Sequence, residues 1–170
     1  MNAQQIDFYL ISIAFRKEHP VILWLDDERD PYGKCHGYPY MTWVEYTIGK
    51  TNYGNWEVVW VRNYTEFVKY IATAGIPDVV CFDHDLGKQK NGKDCANYLM
   101  GILMDHNSLG PAIRSQSYNP VGAANILNLF NGWHDEWLKR NPNKNIIKQL
   151  IPWEISSNAS SNANNGFPSI

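Results

Sequence analysis

Along this chain, short continuous apolar runs alternate with stretches whose apolar residues recur every three or four positions. The runs are Val21–Leu25, Trp56–Val61, Val79–Phe82 and Pro111–Ser115. Val21–Leu25 and Val79–Phe82 show no polar alternation, as expected of strands buried on both faces of a parallel sheet. Ile6, Leu10, Ile13 and Ala14 mark a helix over residues 3–17 that ends before Pro20. Tyr64–Ala74 reads as a helix capped by Asn63, with Glu66 completing a capping box and Gly75 ending it. Lys93–Asp105 carries Ala96, Leu99, Met100 and Leu103 on one face, and Met41–Ile48 reads as a short helix. Asn119-Pro120 supplies an N-cap and a first-turn proline for a helix reaching Leu129 or beyond. The segment from Asp26 to about Pro39 reads as a long loop, and Gly87–Gly92 as a flexible link. Ile146–Ile155 reads as a last strand that Pro152 confines to a sheet edge. The Ser/Asn-rich stretch after Ser156 reads as a polar tail.

Strand and helix alternate throughout, which predicts an α/β fold: a single-domain, doubly wound parallel sheet with an extra N-terminal helix. The expected organisation is an N-terminal helix packed on the core (1–19), an α/β domain (20–155) and the polar tail (156–170). A chain of 170 residues with 44% apolar content can support one such core. The net charge of −2 argues against a broad surface for nucleic acid or anionic lipid. No run approaches the roughly 18 apolar residues needed to span a bilayer, and Met1–Leu10 lacks the basic and apolar segments of a secretory leader. The three cysteines, Cys35, Cys81 and Cys95, form no C-x-x-C pair, and Cys81 in an apolar strand and Cys95 on a helix read as core thiols of a reducing compartment. The expectation is therefore a cytoplasmic protein with no membrane and no extended nucleic acid partner. Its oligomeric state is left open.

The chemistry gathers where two strands end. Leu23-Trp-Leu-Asp26-Asp27-Glu28-Arg29 and Val79-Val-Cys-Phe-Asp83-His84-Asp85 each run an apolar strand into a cluster of acids. In a parallel sheet such ends lie together at the edge where ligands bind. Carboxylates about 4 Å apart repel by about 4 kcal/mol per pair at an effective dielectric near 20. A hard divalent cation, Mg²⁺ or Mn²⁺, held by Asp26, Asp27 and Asp83, would relieve this and bring a phosphate with it. Arg29 could clamp that phosphate, and Asn119 at a helix start offers backbone N–H groups to an anion. Asp83, His84 and Asp85 are the candidate catalytic groups, with His84 suited to protonating a leaving oxygen. Tyr32, Tyr38, Tyr40 and Trp43 are either core or lid packing, or a stacking wall for a base.

An acid pair after the first strand and an aspartate ending the third resembles the receiver domain of response regulators, with its receiver/flavodoxin-like three-layer sandwich. The fuller pattern reads Leu25-Asp26-Asp27-Glu28-Arg29-Asp30-Pro31, then Phe82-Asp83-His84-Asp85-Leu86-Gly87, then Ser117-Tyr118-Asn119-Pro120-Val121-Gly122-Ala123. It is similar to a receiver-like family held to process cyclic phosphates in bacterial and phage proteins. That resemblance implies metal-binding acids at Asp26 and Asp27, an acceptor or nucleophile at Asp83, and a phosphate-facing hydroxyl at Ser115 or Ser117. Signalling receivers carry a Lys after a fifth strand, and here Lys148 is a weak counterpart. Where the family often has a His before the last hydroxyl, this chain has Gln116. Asp83-His84-Asp85 also resembles the Asp-x-Asp of haloacid-dehalogenase phosphatases, but there the motif ends the first strand.

The leading expectation is a metal-dependent phosphohydrolase, or cyclic phosphodiesterase, acting on a small phosphorylated nucleotide-like ligand. Two alternatives stand beside it. One is a signalling receiver phosphorylated at Asp83. The other is a non-catalytic protein that sequesters a nucleotide signal, as a phage anti-defence protein would.

Overall fold

The structure, a computed structural model, describes residues 2–14, 17–49, 56–87 and 89–142. Residues 1–140 form one compact unit. Its elements in chain order are α1 (Ala3–Ala14), β1 (Val21–Leu25), β2 (Lys34–Cys35), β3 (Tyr38–Thr42), α2 (Trp43–Ile48) and β4 (Glu57–Val61). They continue with α3 (Tyr64–Ala74), β5 (Val79–Phe82), α4 (Gly92–Asp105), β6 (Ala112–Ser115) and α5 (Pro120–Arg140). The expected last strand at 146–155 and the tail after Ser156 lie outside the described residues.

Four strands form a parallel sheet in the order β4-β1-β5-β6. Counted along the chain within that sheet, this is 2-1-3-4, the doubly wound, receiver/flavodoxin-like arrangement. Its strand order reverses between β1 and β5, and ligands bind in the crevice beyond the strand ends at such a reversal. Leu25 pairs with Phe82 in that register, so the following Asp26 and Asp83 emerge side by side. The backbone ladder continues one residue past the strands: Asp83 N–H donates to Leu25 O at 2.8 Å, and Asp26 N–H to Val61 O at 3.1 Å.

The two central strands are apolar on both faces because both are covered. Ile22, Trp24, Val79, Cys81 and Ala112 form one face and pack with Ile11 and Ala14 of α1 and Trp43, Val44 and Ile48 of α2. On the other face Phe82 sits between Phe67 of α3 and Phe130 of α5, with ring centroids 5.8 and 5.9 Å away. The far edge of β6 is capped by side chains: Ile113 N–H donates to the Asp7 carboxylate, and Arg114 bridges Asp7 and Ile113 O. Charged caps of this kind keep an edge strand from pairing with other chains.

Three sequence readings need correction. The expected loop from Asp26 to Pro39 contains β2 and the start of β3, which pair as a small antiparallel hairpin. Its two strands are short and carry no apolar alternation, the usual sequence signal. The helix expected from Met41 begins at Trp43, because Thr42 is its N-cap in a full capping box with Glu45. At α3, Asn63 caps as expected, but Glu66 returns its carboxylate to the Arg62 N–H rather than to the Asn63 backbone. The last helix runs 21 residues, held by Trp133 and Trp137, whose indoles donate to Ser108 O and Asn107 O in the α4–β6 loop.

All three cysteines are buried and free. Burial pushes the Cys81 and Cys95 thiols up to about 12, from 9.0 in an unfolded chain, and Cys35 is raised as well. A folded pKa above the unfolded one gives stability that is complete below about pH 9 and is lost as pH rises toward 12. The urea midpoint is therefore expected to fall above pH 9, with no thiol of the native protein labelled by a disulfide reagent at pH 8 and three labelled after unfolding. Labelling of Cys81 in the native protein would contradict the burial.

Candidate functional site

The segment leaving β1 turns back on itself through Asp26. This side chain is fully buried, and its Oδ1 accepts the backbone N–H groups of Glu28 at 3.1 Å and Arg29 at 2.7 Å. Short acidic side chains favour this local turn because they replace a backbone acceptor. Two tryptophans pin the same segment: Trp24 Nε1 donates to Arg29 O at 2.9 Å, and Trp60 Nε1 to Asp26 O at 2.6 Å. On the edge-strand side, the Arg62 guanidinium donates to Asp27 O at 2.7 and 3.1 Å.

Held in this way, Arg29 reaches across the strand ends. Its Nε lies 2.7 Å from Asp26 Oδ2, its Nη2 2.9 Å from Asp83 Oδ1, and its Nη1 2.6 Å from Gln116 O. Burial works to lower the Arg29 pKa, and the charges of Asp26 and Asp83 outweigh it, leaving the guanidinium above its ordinary value. Part of the positive charge that the acid clusters call for is thus supplied by the chain itself. Asp26, Asp27 and Asp83 nevertheless each bring a carboxylate oxygen within 4.8 Å of the others. Asp83 Oδ1 also accepts the His84 N–H at 2.9 Å, and no described residue donates to the Asp27 carboxylate. Asp27 and Asp83 are therefore the less committed acids of the three.

Asp26, Asp27, Asp83 and Asp85 line one cleft of about 450 Å³, together with Glu28, Arg29, Gly87, His36, Trp43 and Tyr118. Asp85 is solvent-facing, and its contact with His84 holds its carboxyl below the usual range, with Asn119 adding to the effect. His84 Nδ1 lies 2.8 Å from Asp85 Oδ1, and Asn119 Nδ2 lies 3.3 Å from Asp85 Oδ2. With the Nδ1 proton shared with Asp85, the other ring nitrogen is the one left for chemistry.

Ser115, Ser117 and Asn119 are not among the cleft-lining residues, and His84 adjoins the cleft through its contact with Asp85. Ser115 Oγ donates to Phe82 O at 3.1 Å and faces a neighbouring cavity beside Arg114 and His134. Ser117 Oγ accepts the Asn119 N–H, and Asn119 Oδ1 accepts the Gly122 N–H, so these two form the turn that starts α5. The sequence does not single out His36, Tyr118 or Gln116 as site residues. Gln116 Nε2 donates to Leu25 O at 3.0 Å, tying the end of β6 to that of β1 across β5. The Ser-x-Asn-Pro turn placed Tyr118 next to the site, but nothing in the sequence marked His36.

Two glycines of the motifs exist to let these parts meet. A Cβ on Gly92 would lie 1.8 Å from Asp83 O, where the α4 N-terminus donates its Gly92 N–H to His84 O at 2.8 Å. A Cβ on Gly122 would lie 2.2 Å from the His84 ring. Backbone cannot yield as a side-chain tip can, so Gly92→Ala is expected to cost about 3 kcal/mol, the upper range of overpacking. Urea unfolding checks this, and a loss under about 1 kcal/mol would contradict the close approach.

Residues 21–132, more than half of the chain, match the family model described as the cyclic-phosphate processing receiver domain. The chain belongs to that family. The match begins with β1 and ends within α5, so it takes in both acid clusters and the Asn119-Pro120 turn. No curated protein and no solved structure matches this receiver-like chain. Among the described residues, no helix is long and apolar enough to cross a membrane.

Proposed function

We propose that this protein is a divalent-metal-dependent phosphoesterase that opens the cyclic phosphate of a small nucleotide-like molecule in the cleft above β1 and β5. The observation that carries this reading is the convergence of Asp26, Asp27, Asp83 and Arg29 at the strand-order reversal, in a chain of this family. Three carboxylate oxygens within 4.8 Å are an all-oxygen donor set suited to Mg²⁺ or Mn²⁺. Asp27 and Asp83 would hold the ion directly, with Asp26 beside them anchoring Arg29. When bound, the ion would neutralise charge on the phosphate oxygens and orient water.

The chain's own groups account for the rest. Arg29, still anchored on Asp26 through its Nε, would turn its Nη2 from Asp83 to a phosphate oxygen and stabilise the charge that grows there. Hydrolysis forms one bond between a water oxygen and phosphorus and breaks one ring P–O bond, and the released oxygen takes a proton. Asp85 stays ionised, so it orients His84, and the imidazole is the proton carrier of that pair. Asp83 would act either as the base that takes the water proton, or as a nucleophile whose oxygen displaces the ring oxygen from phosphorus, water then cleaving the Asp83–phosphate bond.

The test is incubation of the protein and Mg²⁺ with nucleoside 2′,3′-cyclic phosphates, 3′,5′-cyclic nucleotides, ADP-ribose cyclic phosphate and terminal phosphomonoesters, followed by mass spectrometry. Addition of one water to a cyclic substrate, stopped by chelator, is the expected result. Labelling of Asp83 by acetyl phosphate without turnover would replace this reading with a signalling receiver. Tight binding of unchanged ligand would replace it with a sequestering protein.

A further inference from the structure

The phosphate chemistry leaves the aromatic wall of the cleft without a use. Of the residues that could have been packing or a stacking wall, Trp43 lines the cleft and the three tyrosines do not. Tyr32, Tyr38 and Tyr40 are absent from the cleft-lining residues, and Tyr38 packs on Tyr46 at 4.8 Å between centroids. Tyr118 lines the cleft instead, beside Asp83 and Asp85, yet is 72% exposed. A large ring left in water at a polar site is an unused contact surface.

Its position is set by its neighbours. Ser117 and Asn119 on either side are locked in the turn that begins α5. The Arg29 guanidinium lies 4.9 Å from the Tyr118 ring centroid, and Trp43 meets the ring edge-on at 6.0 Å and 79°. Arg29 also lies 5.6 Å from the Trp43 centroid, so the cation is cradled between the two rings. Trp43 is 7% exposed and can offer little further surface, whereas Tyr118 remains largely open. The cleft, at about 450 Å³, is far larger than a phosphate group alone needs and falls within the range of small-molecule sites.

We infer that Tyr118 is the stacking platform for the nucleobase of the substrate, so that the site selects phosphates that carry a base. The inference rests on the phosphate-site reading above. Arg29 links the two halves: the same side chain that contacts Asp26 and Asp83 abuts the Tyr118 ring, so phosphate and base would be held one residue apart. Stacking of this kind is tolerant of base identity, because every base presents a flat face. Discrimination is then between nucleotides and base-free sugar phosphates rather than among the bases.

The test uses the full chain with Mg²⁺ and two probes, adenosine 2′,3′-cyclic phosphate and methyl riboside 2′,3′-cyclic phosphate. Binding is read by stopped-flow quenching of tryptophan fluorescence before turnover. Tyr118→Ala is expected to weaken the adenosine probe about tenfold or more and to leave the base-free probe within about twofold; Tyr118→Phe is expected to restore wild-type binding. Equal weakening of both probes would overturn the inference, since the ring would then only support Arg29. So would unchanged binding of the adenosine probe. Should the wild-type protein bind neither probe, the phosphate-site reading itself fails, a result distinct from either of those.

Discussion

Asp83→Asn is expected to lower ring opening of a nucleoside 2′,3′-cyclic phosphate by at least about 100-fold while the protein stays folded. The substitution keeps the shape of the side chain. An asparagine Oδ1 can still accept the His84 N–H, and Arg29 keeps its Asp26 and Gln116 partners. What disappears is one negative charge beside the phosphorus, along with a basic or nucleophilic oxygen. Losing a single group aimed at the reacting centre typically costs a factor of about 10²–10³. The measurement is kcat/KM alongside a melting curve. A variant with near-wild-type kcat/KM would place the chemistry elsewhere in the cleft, and one that fails to melt cooperatively would show Asp83 to be an element of the fold first.

What could be read before the structure was what periodicity and strand ends encode. Val21–Leu25 and Val79–Phe82 were legible because strands covered on both faces are apolar throughout, and their burial confirms it. The adjacency of Asp26 and Asp83 followed from parallel topology, and the register realises it. The hairpin of Lys34–Thr42 was not legible, because Lys34-Cys35 is too short to show a period and Tyr38, Pro39 and Tyr40 are all exposed. The place of Ser115 was missed for a similar reason. Its position at the end of β6 was readable, but which backbone carbonyl its hydroxyl would take was not.

The glycines of the motifs show what sequence can hint at without explaining. Asn91-Gly92 and Gly122 stood beside chemical residues, but only the packing shows that Gly92 admits the Asp83 carbonyl and Gly122 the His84 ring. The electrostatic argument was incomplete in the same way. Four clustered acids called for positive charge, and a metal was the inferred source. The structure shows that Arg29 is the first cation among them. That shifts the question from whether a cation is needed to whether a metal ion joins Arg29 among the acids.

Arg29→Met addresses this directly and is expected to have the largest effect on stability. The Arg29 side chain is 16% exposed, and its partners Asp26 and Asp83 are buried, with side chains 1% and 6% exposed. Removing one member of a buried ion pair leaves charge without a partner and typically costs about 3–5 kcal/mol. Methionine fills much of the volume, so the loss reads the charge rather than a cavity. In chelator the melting temperature is expected to fall on the order of 10 °C. Millimolar Mg²⁺ should return much of that loss in the variant and raise the wild-type protein less, because in the wild type the ion must compete with the guanidinium for Asp83. Stabilisation by ligand follows the ratio of its concentration to its dissociation constant, so a titration gives the affinity of each protein for the ion. If Mg²⁺ leaves both melting curves unmoved, the three aspartates do not hold a metal, and Arg29 alone is the counter-charge of the cleft.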